Sequence, residues 1–277
     1  MRDAVLTNGS PAPTARAAVA APARFPRPSP LAFLASVVAL AFLAIALDGV
    51  GVAPAEFIRG FPGLGRMLAQ MFPPDLSRLA AVGRALLETF QMAVAGTAFG
   101  IVLSLPLAIL ATRSQSPHPL VYYATRGFIS FARSVPDLIW ALFFVIAVGL
   151  GPFAGMLAIM IDTIGFCGRF FAEAMEEVDP GPQEALCSIG ASRLGTVVSA
   201  VLPAAFPSLI NTSLYSVEKA TRASVVLGLV GAGGIGIELK VAMDMFAYDQ
   251  ASTIIFSIFL LVLAVEQVSA RLRRRIL

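Results

Sequence analysis

Residues 184–203 read EALCSIGASRLGTVVSAVLP, and the rest of the chain is understood from them outward. Just upstream, Asp179-Pro180-Gly181-Pro182 has the makings of a helix start: an aspartate to cap orphan amides and prolines comfortable in the first turn. Glu184 lies close enough to that end to interact favourably with the helix dipole. Leu186, Ile189, Arg193 and Leu194 follow at helical spacing, with Gly190 on the side of Leu186 and Leu194, so a polar helix is expected to run through this stretch. Gly190 costs such a helix about 1 kcal/mol relative to alanine, a cost that makes sense where another backbone or side chain comes very close. Leu202-Pro203 then marks the beginning of an apolar helix. On geometry alone, an amphipathic helix of this kind is an interfacial connector.

Composition says what it connects. Of 277 residues, 57% are hydrophobic and only 13% charged, where an ordinary soluble domain carries about 25% charged residues. The chain is therefore expected to be an all-α polytopic membrane protein with a single domain in the bilayer. The formal net charge of +3 needs no nucleic-acid partner, because most arginines stand where membrane topology wants them. Cys167 and Cys187 make no disulfide framework and are expected to be reduced thiols. Residues 1–30, rich in Ala and Pro with Arg2, Arg16, Arg24 and Arg27, are expected to form a disordered cytoplasmic tail rather than a cleaved signal peptide.

About six crossings are expected. Leu31–Leu47 carries no charge and is just long enough to span. Residues 31–84 hold this first span and a proline-bearing outside loop, the whole charged region running from Asp48 to Glu88. Thr89–Ala111 is the second span, with Pro106 expected to kink it. Leu120–Val148 is too long for one plain crossing; it is expected to begin at the inner surface, break near Pro136 and then span. Arg126 and Arg133 in its first half are either inner-surface anchors that snorkel to headgroups or charges that offset an anion, and Asp137, four residues from Arg133, is placed to neutralise it. The fourth span, Phe153 to about Phe170, carries Asp162 near its middle, either a helix-packing hydrogen-bond partner, a pore-lining group or a site of proton coupling. The amphipathic residues 169–178 lead into the connector, so the loop spans 171–195. The fifth and sixth spans cover about Thr196–Leu214, bent by Pro203 and Pro207, and Ala251–Val268. A basic end follows at 271–277.

Six crossings put both termini on one side. Arg113 in the short turn after span two, the tail arginines, and Arg271, Arg273, Arg274 and Arg275 all argue that this side is the cytoplasm. The connector between spans four and five then falls inside as well.

Residues 218–236, EKATRASVVLGLVGAGGIG, hold glycines at 228, 231, 233, 234 and 236, too dense for a good helix. No strand precedes them and no G-K-[ST] follows, so neither a phosphate loop nor a dinucleotide fingerprint is supported. A close-packed or re-entrant loop is expected, and a moving part of a translocation path is its functional version. Glu218 and Arg222, four apart, are spaced to pair across one turn, or Arg222 faces an anionic substrate. His118, between Pro117 and Pro119, is expected to be structural. No metal-ligand or nucleophile–base constellation is present, so no catalytic residue is assigned.

The spacing E-A-x-x-x-x-G, then nine residues, Ala200, one residue and Leu202-Pro203, resembles the EAA loop of ABC importer permeases. Ala200 stands where isoleucine is frequent and Leu186 where a second alanine is. The glycine run, the residues FARSVPDLIWALFFVIAVGLGPFAGMLA (131–158) and EEVDPGPQEALCSIGASRL (176–194) are similar to the permease subunits of phosphonate importers, with residues 85–270 as the permease core. The resemblance implies a type I ABC importer permease fold in the bacterial inner membrane, not an enzyme itself. It makes Glu184, Ala185, Gly190, Leu202 and Pro203 the docking residues for a partner ATPase. It implies an extracytoplasmic phosphonate-binding protein and a second copy of the chain as further partners. ATP and magnesium would be used by the ATPase, with no cofactor on this chain. Arg133, Pro136, Asp137, Asp162, Glu218, Arg222, Gly231, Gly233, Gly234 and Gly236 are the candidates for a gate or translocation path, for phosphonate or for phosphite, a phosphate ester or another small solute. An ion-coupled secondary transporter, a membrane enzyme and a purely structural subunit are the competing classes.

Overall fold

The computed structural model describes residues 29–51 and 54–276, and all of its regular structure is helical. The chain divides into two units at Phe61/Pro62. The first carries α1 (Pro30–Gly49), capped by the Ser29 hydroxyl, which accepts from the Ala32 amide at 3.2 Å. Its apolar side chains are exposed, as a helix that is hydrophobic all round requires of a lipid-facing span. The second helix, α2 (Pro54–Gln70), runs across the division. The expected tail, residues 1–28, lies outside the described residues.

The second unit is built on α3 (Leu79–Ala111), α4 (Pro119–Ser134), α5 (Asp137–Val148), α6 (Pro152–Glu176), α7 (Pro180–Ser188), α8 (Arg193–Thr196), α9 (Leu202–Gly228), α10 (Ile235–Asp244) and α11 (Tyr248–Ile276). At its centre α3 and α6 lie in backbone contact. A Cβ added to Gly96 would fall 2.7 Å from the Met156 carbonyl oxygen, and one on Gly100 would fall 3.0 Å from that of Met160. Small residues let membrane helices approach this closely, where packing rather than hydrophobicity drives association.

Those contacts also fix direction. The pairs Gly96–Met156 and Gly100–Met160 advance together, so α3 and α6 are parallel. The chain must therefore cross back between them, and α4 with α5 is that return. The two meet at 91°. Pro136 supplies the cause: it has no N–H to continue the helix, and it biases Val135 to the extended backbone found there, φ −84° and ψ 121°. Alone, the twelve residues of α5 rise only about 18 Å, less than a bilayer core. Five described helices are long and apolar enough to cross a membrane, and the bent pair makes six, as expected.

Three expectations about the spans need correction. The second crossing begins at Leu79 rather than Thr89, and Pro106 sits inside α3 without interrupting it. The fifth does not end at Leu214 but continues to Gly228, because Glu218 and Lys219, whose charges read as a stop, are met by side chains from neighbouring helices. Finally, the backbone of Arg133 does not start from the inner surface. Its backbone N lies 2.8 Å from a Cβ built on Gly165, level with the middle of α6, because α4 climbs along α6 before the proline turns it.

At the start of α9, Val197–Val201 forms a π-turn in which the Leu202 amide donates to the Val197 carbonyl. Pro203 lacks an N–H and its ring crowds the carbonyl four residues back. Widening the preceding turn relieves both problems.

Candidate functional site

At the end of the bundle where α3 and α6 finish, α7 forms a nine-residue helix. Asp179 caps it as its composition requires, accepting from the Gly181 amide at 3.0 Å. The helix stops sooner than the spacing of Leu186, Ile189, Arg193 and Leu194 suggested. Gly190 is not inside it but just past it, at φ +85°. The Gly190 amide donates to the Cys187 carbonyl and the Ala191 amide to that of Leu186, each at 3.0 Å. This pair of bonds is a Schellman motif, which a left-handed residue closes and glycine closes without steric cost. No neighbour lies within 4 Å of a Cβ placed there, so backbone geometry rather than crowding requires the glycine within this chain. Ser192 then caps α8, accepting from the Gly195 amide at 3.2 Å.

Two hydrogen bonds tether this segment to the turn after α3: Gln115 donates to Gln183 at 3.0 Å and Arg193 to the Ser116 carbonyl at 3.3 Å. The other face is open. Glu184, Ala185 and Gly190 are exposed, and Ile189 and Leu194 are 79% and 69% exposed. Leu202 is half-buried and Pro203 exposed, one helix further on. Beneath them Phe171, Met175, Val201 and Ala205 pack with Ala108 and Ala111. Arg126 joins the same end, donating to the Ala111 carbonyl at 3.0 Å and to Glu176 at 2.8 Å. His118 caps α4, its Nδ1 accepting from the Leu120 amide at 3.1 Å, the structural role expected of it.

The glycine run occupies the opposite end. Gly231, Gly233 and Gly234 all have positive φ, and Gly236 opens α10 against α9. The loop is close-packed, as expected. Its anchors are two residues of α3 that the sequence reading had left aside: Glu88 accepts from the Gly234 amide at 2.9 Å and Thr89 from the Ile235 amide at 2.8 Å. A carboxylate at the first turn of α10 also suits the helix dipole. The Gly151 amide donates to the Gly231 carbonyl at 3.0 Å, tying the loop to the α5–α6 turn. Replacing Thr89 by valine removes an acceptor at a buried position. The orphaned Ile235 amide should cost about 1–3 kcal/mol, read as a lowered unfolding temperature in detergent, whereas Thr89→Ser should stay near the parent.

Between the two ends lie the charged candidates. Lys219, which sequence reasoning missed, places its ammonium 2.8 and 2.7 Å from the two carboxylate oxygens of Asp162. Glu218 is not paired with Arg222; it reaches Arg273 on α11, which also approaches Ser269 at 3.4 Å. The reason is burial: the Glu218 side chain is only 7% exposed, on the face of α9 that α11 covers, while Arg222 is exposed. Consecutive residues leave a helix about 100° apart, so 218 and 219 address different neighbours. Asp137 does not neutralise Arg133 either. The helix break parts them: Asp137 starts α5, accepting from the Leu138 amide at 3.0 Å, while Arg133 lies over the Phe170 ring, 5.6 Å from its centroid. Pro136 is the exposed hinge between them.

Residues 100–277 match the family described as binding-protein-dependent transport system inner membrane component. The chain is 40% identical over 245 residues to the putative phosphite transport system permease protein HtxC of Stutzerimonas stutzeri, covering 88% of this chain and 87% of that one. It is 42% identical over 217 residues to the phosphate-import permease protein PhnE of Mycolicibacterium smegmatis, 78% of this chain but 41% of that one. Over 119 residues it is 39% identical to the putative cryptic phosphonate transport system permease protein PhnE2 of Escherichia coli, 43% of this chain and 98% of that one. Among solved structures, a chain of the inward-facing MetNI methionine ABC transporter superposes with a TM-score of 0.66 at 21% identity, over 73% of this chain and 99% of that one. At that identity the likeness speaks for the fold.

Proposed function

The chain belongs to the binding-protein-dependent transport system inner membrane component family, and on that premise we propose that it is the transmembrane channel subunit of an ATP-driven importer for phosphonates, with phosphite as the competing substrate. The observation that carries this reading is α7: a short, capped, outward-facing helix held at one end of a membrane bundle by the Gln115–Gln183 hydrogen bond, with Arg193 of α8 tethered beside it. It has no packing duty that would explain its open face, and it sits where force applied from outside the bilayer passes directly to α6 and α9.

In this reading Glu184, Ala185 and Gly190 dock an ATP-binding cassette subunit on the cytoplasmic face, with Leu202 and Pro203 passing the motion to α9. Exposed Arg271, Arg274 and Arg275 favour placing the chain's carboxyl end on that same face. ATP and magnesium bind the ATPase, and this chain carries no catalytic group. An extracytoplasmic binding protein delivers substrate at the glycine-loop end, and a second copy of the chain completes the channel within the lipid. The names of the relatives support a phosphorus oxyanion, and the FARSVPDL and GAGGIG runs support phosphonate.

Uptake of methylphosphonate and of phosphite into vesicles carrying this chain tests it, with and without the ATPase, binding protein and ATP. Uptake is expected only when all are present, with methylphosphonate preferred. Uptake driven by an ion gradient without the ATPase would sink the reading. Deleting the gene should abolish growth on methylphosphonate as sole phosphorus source, and restoring it should recover growth.

A further inference from the structure

Asp162 and Lys219 pair between α6 and α9, and Arg133 lies further along α6, joined to them through Phe170 and Phe166. Lys219 is bound by Asp162 yet its side chain remains 35% exposed, and Asp162 20%. Its ammonium also lies 5.1 Å from the centroid of Phe166. The Phe166 ring centroid lies 4.7 Å from that of Phe170 and 5.7 Å from that of Tyr215, and Phe170 carries Arg133 over its ring. Arg222, exposed, stands three residues beyond Lys219 on α9, and such spacing keeps two residues on neighbouring faces of a helix.

Neither Arg133 nor Arg222 has an ion-pair partner among the described residues. Cations exposed on membrane helices are costly against lipid, so such groups face water or protein. The aromatic rings between them keep the surface continuous while offering no competing negative charge.

We propose that Lys219 is the resting site for the anion in transit, and that Asp162 is the counter-ion which the substrate displaces. The empty path holds the ammonium neutralised by Asp162. An incoming dianionic oxyanion takes the carboxylate's place on Lys219, with Arg133 and Arg222 supplying the remaining positive charge. When the anion leaves, Asp162 returns, so the path does not retain its cargo. This assignment rests on the reading of the chain as a phosphorus-oxyanion channel and names where that cargo is held.

The test uses the complete importer in vesicles, with methylphosphonate and phosphite as probes. Parent uptake is read first; its absence would overturn the functional reading, and this assignment, which rests on it, would fall with it. With the parent active, Lys219→Met should lower uptake roughly tenfold or more, the scale of a lost charge-assisted hydrogen bond, while the ATPase still co-purifies. Lys219→Arg should keep most of it. Asp162→Asn should remain active and release substrate more slowly. The double variant Asp162→Asn with Lys219→Met decides between roles. If the pair only holds α6 to α9, removing both charges should restore uptake, since deleting both members of an ion pair is often close to neutral. A double variant as inactive as Lys219→Met supports the proposal; a restored one overturns it, as does a Lys219→Met variant with parent uptake.

Discussion

Gly236→Val is expected to leave little folded protein in the membrane. A Cβ on Gly236 overlaps the Val225 carbonyl oxygen and falls 2.8 Å from the Gly228 Cα. The reciprocal contact is equally tight: a Cβ on Gly228 would lie 2.7 Å from the Gly236 Cα. Both partners are backbone, so no side-chain rotation relieves the clash. Overpacking a core commonly costs about 1–3 kcal/mol and occasionally more, and backbone against backbone belongs at the upper end. The cost also spreads, because separating α10 from α9 pulls the Gly234 and Ile235 amides from Glu88 and Thr89. Gly83→Ala is the control: no atom lies within 4 Å of its added methyl, and alanine favours the helix by about 1 kcal/mol. Yield after detergent extraction and the unfolding temperature are the measurements. An abundant Gly236→Val protein unfolding at the parent's temperature would mean that α9 and α10 are not in contact in the membrane.

The sequence made the membrane class, the six-fold crossing and the α7 start legible, because each rests on local chemistry. Uncharged runs mark spans, Asp179 followed by prolines marks a helix start, and Pro136 marks the break. What stayed hidden depends on which distant residue faces which. Glu218 and Lys219 read as the end of a span because sequence cannot show Asp162 and Arg273 arriving from α6 and α11 to neutralise them. Lys219 was passed over while Arg222, three residues on, was weighed, because nothing in the order of residues shows Asp162 lying beside it. Glu88 and Thr89 were hidden for the same reason, their partners lying near residue 234. Arg133 was left between a surface anchor and a charge that offsets an anion because the position of its backbone is set by the packing of α4 on Gly165, not by its neighbours in the chain. Gly190 is a different case. Its spacing was legible but its conformation was not, since a glycine inside a helix and one closing it look alike in a row of letters.

That distinction sets the second large effect. Gly190→Val is expected to lower ATP-driven uptake roughly tenfold while leaving yield and unfolding temperature unchanged. Forcing a side chain into the left-handed region costs about 1–2 kcal/mol, close to a factor of ten in an equilibrium. The cost falls on the Schellman closure alone, because Gly190 is exposed and touches nothing else in this chain. The bundle therefore folds, but the end of α7 frays and Ser192 no longer presents its cap to α8 in register. Co-purification of the ATPase should fall with uptake. Gly190→Asn separates conformation from crowding, since asparagine tolerates the left-handed region. If backbone geometry is what matters, the asparagine variant recovers most uptake. If both variants fail equally, the open space around Gly190 is filled by the docked ATPase, and the glycine serves a close approach between subunits. Parent-level uptake in the valine variant would remove α7 from the path by which force enters the membrane.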